Sequence, residues 1–313
     1  MTKQAVYRAA ACIIAGASCV YPCMSVLTEN NSSSQRGKVW FITGASSGFG
    51  RLLAEYLVTL GASVVATARK PDVLKDLELS APELVMVHGL DVTSTSSIQS
   101  AVDDAIARFG HVDVLVNNAG YGLTAALEEA TAEEYAPMFD TNVFGLVNMT
   151  KALLPQFRER RKGNIVMLSS VGGIVGLPGW GYYNATKFAV EGLSEALATE
   201  MGPLGVHVTL IEPGPFRTEF LGTSGKASKA VIADYAETAG KTRKYMETQT
   251  GKQAGDPQKA VEAIVAAVSA AEPPLHLPLG KLALDRFDKK YKDFQRDIDV
   301  WKDTILGADF PEA

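Results

Sequence analysis

The sequence predicts an α/β protein: one doubly wound parallel sheet with helices on both faces. Three observations predict it. Apolar, β-rich runs recur at 39–43, 63–67, 84–88, 112–117, 164–169 and 206–211. Helical patterns separate them at 50–60, 98–109, 132–160 and 183–201. The strand runs are nearly continuous in apolar residues, as expected where helices cover both sheet faces, and strand–helix alternation implies right-handed crossovers.

Taken in order, residues 1–37 stand apart as an N-terminal extension. Lys3 and Arg8 precede an uncharged run over 9–27, and a polar stretch follows. A signal peptide, a membrane anchor and an upstream segment without a structural role all fit this pattern. Gly16, Ser18, Pro22 and Ser25 weaken the anchor reading, and lipidation at Cys19 lacks the usual preceding leucine. Residues 1–23 are expected to be dispensable. The working domain is read as 38–313, a single unit. Within it, Thr131 is expected to cap its helix with Glu134 as capping-box partner. The region 215–257, rich in Gly, Lys, Thr and Ala, breaks the rhythm directly after a strand. It is expected to form a lid, or else an ordinary pair of surface helices. Over 281–305, Leu284, Phe287, Tyr291, Phe294, Ile298, Trp301 and Ile305 recur at alternating intervals of three and four. This marks an amphipathic helix whose stripe docks on its own domain or forms an intermolecular seam, with docking preferred.

Composition excludes several functions. The chain has 313 residues, 47% of them hydrophobic, and a net charge of −5, so it lacks the basic surplus of a general nucleic-acid binder. All three cysteines (Cys12, Cys19, Cys23) lie near the N-terminus, which leaves the domain without a thiol nucleophile or disulfide framework. The four histidines show no paired spacing, and no metal site is expected.

Chemistry concentrates at two places. The first strand runs into Thr43-Gly-Ala-Ser-Ser-Gly-Phe-Gly50 and then a helix. Glycines there let the backbone turn sharply and approach a pyrophosphate, which the free N–H groups and positive dipole end of the helix would hold. Gly44, Ser46, Ser47, Gly48, Phe49 and Gly50 are therefore expected dinucleotide contacts. An NAD-specific fold of this kind usually places an acid at the end of the second strand. Here that strand ends Thr67-Ala68, and Arg69 follows, placed to pair with a 2′-phosphate. NADP(H) is the expected cofactor, with NAD(H) as the alternative. Ser47 tempers the preference, because it stands where many NADP-preferring proteins have a basic residue. The second place is Tyr183 and Lys187, at i and i+4 on one helix face. A tyrosine with an ammonium beside it is a proton donor and acceptor suited to hydride-transfer chemistry.

With Gly44, Gly48 and Gly50 spaced T-G-x-x-x-G-x-G and Tyr183-x-x-x-Lys187 downstream, the chain resembles the short-chain dehydrogenase/reductase family, over roughly 38–278. The resemblance implies a Rossmann fold. It further implies that Asp91 and Val92 contact the adenine, that Asn118, Ala119 and Gly120 of the Asn117-Asn-Ala-Gly run flank the cofactor, and that Pro213, Gly214 and Thr218 lie by the nicotinamide. Tyr183 and Lys187 would also touch the cofactor. Ser170, 13 residues before Tyr183, would hold the substrate oxygen, with Ser169 as its rival, and Asn142 would support a proton relay. The run Ser170-Val-Gly-Gly resembles the 17β-hydroxysteroid and retinol dehydrogenase branch. That likeness implies a homodimer or homotetramer.

The segments expected around the substrate are apolar: Ile174, Val175, Leu177, Pro178 and Trp180; Phe216, Phe220 and Leu221; Tyr121 and Leu123. They suit a small hydrophobic ketone, aldehyde or secondary alcohol. The expected function is NADP(H)-dependent oxidoreduction of such a substrate. The alternatives are an NAD-linked dehydrogenase acting on a steroid-like alcohol and a catalytically silent dinucleotide sensor. The expected location is the cytoplasm, unless residues 1–27 act as a signal or an anchor.

Overall fold

Strand β1 (Val39–Ile42) is buried along its whole length and feeds helix α1 (Gly48–Thr59) through the glycine turn. Then follow β2 (Ser63–Ala68), α2 (Lys75–Ser80), β3 (Val85–Gly89), α3 (Thr95–Phe109) and β4 (Val114–Asn117). The next elements are β5 (Gly122–Thr124), α4 (Ala132–Phe139), α5 (Leu146–Arg160), β6 (Gly163–Leu168), α6 (Gly181–Met201) and β7 (Val206–Pro213). Last come β8 (Gly225–Ala227), α7 (Lys241–Gln249), α8 (Pro257–Ser269), β9 (His276–Leu279) and α9 (Lys281–Leu306). This is a computed structural model; it describes residues 35–310 except 221, 223 and 224. The expectations for residues 1–34 and for Leu221 lie outside the described residues.

The main sheet has seven strands in the order β3-β2-β1-β4-β6-β7-β9, all parallel. The order reverses between β1 and β4, which opens a crevice at the carboxyl ends of those strands. Two apolar layers hold the sheet. On one face Trp40, Ile42, Leu53, Leu57 and Ile264 pack together; on the other Phe41, Leu115, Leu153, Phe157 and Ile165 do. The alternating in-and-out sense of β1 supplies both layers from one strand.

The predicted helix over 132–160 is present as one continuous helical run, with a π-type turn at Asp140–Gly145 between α4 and α5 and Pro137 inside α4. The capping box at Thr131 and Glu134 is present. Five elements were not predicted: α2, β5, β8, α8 and β9. β9 is short and contains Pro278, which an edge strand tolerates. The small β5–β8 pair joins segments 102 residues or more apart. α8 begins at Pro257, capped by Asp256, and buries Val261, Ile264 and Val265. The domain also starts earlier than residue 38: Gln35 is buried, donates to Ser269 Oγ at 2.6 Å and accepts from Trp40 Nε1 at 3.2 Å.

The docking expected for the C-terminal stripe is corrected. In α9 only Ala283 and Phe287 are buried, and no residue from Asp288 to Leu306 is. Its first turns meet the domain near Gly214, and the remainder runs past the surface it starts from.

Candidate active site

The glycine turn is built by backbone need. Gly44 and Gly48 hold φ of +66° and +57°, a region L side chains rarely adopt. A Cβ on Gly44 would also lie 2.9 Å from Ala119 Cα. Ser47 caps α1 with no side-chain hydrogen bond, which leaves the first amides of the helix for an anion. Thr43 and Asn118 clamp the turn to the end of β4. Thr43 Oγ1 accepts from the Asn118 and Ala119 amides at 3.0 Å each, and Asn118 Nδ2 donates to the carbonyls of Thr43 and Gly44 at 2.9 and 2.8 Å.

A cavity of about 860 Å³ opens over the crevice. Its walls bring together most of the predicted residues: Gly44, Ser46, Ser47, Gly48 and Phe49; Arg69, Asp91 and Val92; Asn118, Ala119 and Gly120. Ser170, Tyr183, Lys187, Pro213, Gly214 and Thr218 line it too. Two predicted residues stand behind the wall. Gly50 packs close to Asn118, where a Cβ would lie 2.5 Å from Nδ2. Asn142 is buried in the π-type turn. Its Oδ1 accepts from the Tyr121 amide at 3.0 Å, and its Nδ2 donates to Tyr121 O at 2.8 Å and Thr186 Oγ1 at 3.2 Å.

Tyr183 and Lys187 share one face of α6, both nearly buried. Burial pushes the Tyr183 phenol above its ordinary range, while the Ser170 hydroxyl pulls it the other way. Burial lowers the Lys187 ammonium to about 8, against the pull of Glu191. Lys187 Nζ donates to Leu168 O at 2.5 Å and lies 5.8 Å from the Tyr183 ring centre. The expected lowering of the tyrosine by the lysine is therefore not seen in this geometry, because the lysine is held by a backbone carbonyl and burial dominates. Ser170 caps the short turn Val171–Gly173, its Oγ accepting from Gly172 N at 3.0 Å. Its neighbour Ser169 also reaches the cavity wall but is buried, and its hydroxyl is engaged in donating to Glu191.

At the cofactor end, Asp91 is held below the ordinary carboxylate range by bonds from the Thr93 amide and hydroxyl, with Arg69 nearby. Arg69 is exposed and closes no ion pair among the described residues. The sequence reading missed Lys70, which joins Ser46, Ala68, Arg69 and Val73 around an adjoining hollow. The two cations are consecutive after β2, so that signal was available.

The other end of the cavity is aromatic. Trp180 meets Tyr183 edge-on at 5.4 Å and Phe220 at 6.1 Å, and Tyr183 lies 5.4 Å from Phe220. Leu177, Pro178, Tyr121 and Phe216 line the wall as expected; Ile174, Val175 and Leu123 do not, and Leu123 is buried beneath it. Lys226, Lys241, Thr242, Tyr245 and Gln253 reach the cavity from the 215–257 region, and Leu282 and Arg286 from α9. None of these was predicted. That region is tied down by Glu129, whose buried carboxylate pairs with Arg243 and accepts from the Ala126 and Ile232 amides at 2.7 and 2.9 Å.

Below α6 the fold gathers Glu191, Glu212 and His276, whose candidate ligand atoms lie within 4.8 Å of one another. His276 Nδ1 bonds Glu212 Oε1 at 2.7 Å. Burial pushes Glu191 up to about 7 and Glu212 up to about 8.

Residues 38–229 match the short chain dehydrogenase family. The chain belongs to that family. It is an oxidoreductase of the short-chain dehydrogenase type. It is 40% identical over 255 residues to a 3-ketodihydrosphingosine reductase of Bacteroides thetaiotaomicron, covering 80% of this chain and 91% of that one. It is 37% identical over 252 residues to human retinol dehydrogenase 8, covering 75% and 78%. A short-chain dehydrogenase structure from Streptomyces avermitilis superposes with a TM-score of 0.82 at 42% identity, covering 87% of this chain and 98% of that one. A Burkholderia phymatum family member in complex with NAD gives 0.75 at 26% identity, covering 84% and 96%. A serine dehydrogenase complexed with NADP+ gives 0.67 at 30% identity, covering 77% and 94%. Among the described residues no helix is long and apolar enough to cross a membrane.

Proposed function

We propose that this short-chain dehydrogenase is an NADP(H)-dependent oxidoreductase that interconverts a hydrophobic ketone or aldehyde with its alcohol. One observation carries the reading: a single cavity joins the glycine turn and Arg69 to Ser170, Tyr183 and Lys187, with aromatic rings beyond them. The residues fit a dinucleotide. The amides at the start of α1 are not consumed by the Ser47 side chain, and Arg69, exposed and closing no ion pair among the described residues, is free to meet a 2′-phosphate although Asp91 lies nearby. Structural relatives that carry NAD and NADP+ support the cofactor class, and the Arg69–Lys70 pair supports the phosphorylated form.

When bound, the nicotinamide supplies the donor or acceptor of the hydride. Ser170 holds the substrate oxygen. Tyr183 gives that oxygen its proton in reduction and removes it in oxidation; the raised phenol pKa keeps the proton on Tyr183 until it is needed. Lys187 would hold the cofactor ribose and supply, beside Tyr183, the charge that favours phenolate. Asn142 fixes the Tyr121 backbone beside Lys187 and anchors the proton path. Asp91, Val92 and the 118–120 turn border the adenosine side, and Pro213, Gly214 and Thr218 the nicotinamide side. Trp180, Tyr121, Phe216 and Phe220 exclude water around an apolar substrate. The relatives named for a long-chain keto lipid and for retinol favour that class. In the same reading, region 215–257 covers the substrate end as a lid, and the enzyme works as a homodimer or homotetramer.

The test is NADPH consumption with a panel of hydrophobic ketones and aldehydes. Turnover by the wild type but not by Tyr183→Phe supports the reading. Tight NADPH binding without turnover on any member would favour a dinucleotide sensor.

A further inference from the structure

Beneath helix α6, three donors from three elements converge. His276 on the edge strand β9 is in register with Leu210 of β7. Glu212 stands two residues beyond Leu210, so its side chain shares a sheet face with His276. Helix α6 packs on β7 and brings Glu191 to the same place. Glu212 is completely buried and Glu191 is 5% exposed, while the His276 side chain is 38% exposed. His276 Nδ1 lies 2.7 Å from Glu212 Oε1 and 3.8 Å from Glu191 Oε2. A second observation is separate from this clustering. Glu191 Oε2, which faces the imidazole, and Glu212 Oε2 are both buried without a hydrogen-bond partner. Buried polar atoms are almost always paired, so two orphaned carboxylate oxygens beside one imidazole call for a ligand. Among the described residues no lysine or arginine closes an ion pair with either carboxylate. Lys187, one turn before Glu191, donates to Leu168 O at 2.5 Å instead.

We propose that Glu191, Glu212 and His276 form a binding site for one divalent ion of the zinc class, outside the dinucleotide and substrate cavity. Two carboxylate oxygens and one imidazole nitrogen are donors that zinc accepts. At zinc bond lengths of about 2.0–2.1 Å, tetrahedral ligands lie about 3.3–3.4 Å from one another. The 2.7 and 3.8 Å separations around His276 Nδ1 bracket that span, so small side-chain shifts suffice. The imidazole disfavours magnesium and calcium, which take oxygen ligands. Charge balances too: two carboxylates and a doubly charged ion leave the buried cluster neutral, and the ion replaces protons that the carboxyls otherwise keep. The surroundings orient the donors. Ser169 Oγ donates to Glu191 Oε1, which leaves Oε2 for the ion. Glu195, one turn further along α6, sets Oε1 3.9 Å from His276 Nε2, the ring nitrogen the ion does not use. A carboxylate behind a ligating histidine fixes its ring and tautomer. His276, at the exposed sheet edge, gives the ion its way in and leaves the fourth position to water. The expectation of no metal site rests on spacing along the chain, which cannot join donors at 191, 212 and 276. An ion here pins β7 and β9 to the helix that carries Tyr183 and Lys187. This inference does not depend on the cofactor or substrate assignment.

The experiment titrates zinc chloride into the chelator-dialysed full chain by calorimetry. The wild type should bind one equivalent, at a micromolar or lower dissociation constant, that His276→Ala lacks. His276 is exposed, so its replacement should leave the circular dichroism unchanged. Glu191→Gln should weaken the same equivalent at least about a hundredfold, and Glu195→Gln about tenfold, the smaller loss for a group that acts through the imidazole. Zinc should raise the thermal midpoint of the wild type and not that of His276→Ala. Cobalt(II) should give the visible bands of a tetrahedral site in the wild type alone. Three results would overturn the site: no tight zinc binding by the wild type, magnesium bound as tightly as zinc, or zinc bound equally by His276→Ala. Capture by the cysteines near the N-terminus would give the last of these.

Discussion

Replacing Glu212 with Gln should change how the stability of this enzyme depends on pH. Glu212 sits on β7, fully buried, with Oε1 bonded to His276 and Oε2 without a hydrogen-bond partner. Burial raises it from the ordinary 4.5 to about 8. The folded state therefore binds the proton more tightly than the unfolded chain does. The stabilising contribution is fully present below pH 4.5 and is lost as pH rises through about 8. At 1.36 kcal/mol per pKa step the whole shift would amount to roughly 5 kcal/mol. His276 is exposed and lets water reach the pair, so about half of that, ~2–3 kcal/mol, is the expected effect. Gln keeps the shape and has no proton to lose. Relative to the wild type, Glu212→Gln should therefore gain about 2–3 kcal/mol between pH 5.5 and pH 9, or about 4–12 °C in midpoint for a domain of this size. Thermal unfolding of both proteins in matched buffers measures the gap. Midpoints that stay parallel across this range would refute the assignment of a buried protonated carboxyl.

Tyr183→Phe should lower the rate of ketone reduction by about 10²–10⁴-fold with NADPH affinity nearly unchanged, read by steady-state kinetics and fluorescence titration. Arg69→Ala should weaken NADPH by roughly ten- to a hundredfold, the range for a lost charge-assisted bond, and leave NADH alone. Adding Ala68→Asp to that variant should reverse the preference, and equal NADPH affinity in the wild type and Arg69→Ala would remove Arg69 from the site. Arg243→Met should leave the buried Glu129 carboxylate uncompensated; it should cost about 1.5–3 kcal/mol and speed proteolysis within 215–257.

What was legible in the sequence follows from how local each signal is. The six predicted strands, the glycine turn and the Tyr183–Lys187 pair are encoded within a few residues, as hydrophobic period, backbone need or helix spacing. The structure then brings the glycine turn and the pair to one cavity. The helix over 132–160 is continuous, as its apolar period predicts, but that period does not reveal the π-type turn within it. The π-type turn at Asp140–Gly145 shifts the register without a glycine–proline marker at its start, and it carries Asn142. β9 was hidden by Pro278, which only an edge position excuses, and by the lack of an apolar β-branched run. α8 followed the irregular 215–257 stretch, and Asp256-Pro257 is as good a helix start as a loop.

The elements that stayed hidden share one property: their meaning depends on partners far along the chain. Glu129 looks like an ordinary acid of a polar turn, yet it is buried because Arg243 and the Ile232 amide arrive from more than a hundred residues away. Glu191, Glu212 and His276 come from α6, β7 and β9, so no spacing rule could join them. The same limit explains the lysine. Sequence placed Lys187 beside Tyr183 correctly, but only the fold shows that Leu168 O competes for its ammonium. The competition has a functional consequence. Burial leaves the phenol high and protonated while the lysine is held by a backbone carbonyl, so the site is biased toward giving a proton. To act as an acceptor, the tyrosine needs Lys187 to change partner. The oxidative direction should gain more than the reductive one from raised pH, since oxidation of an alcohol releases a proton that reduction consumes, and initial rates in both directions across a buffer series measure it.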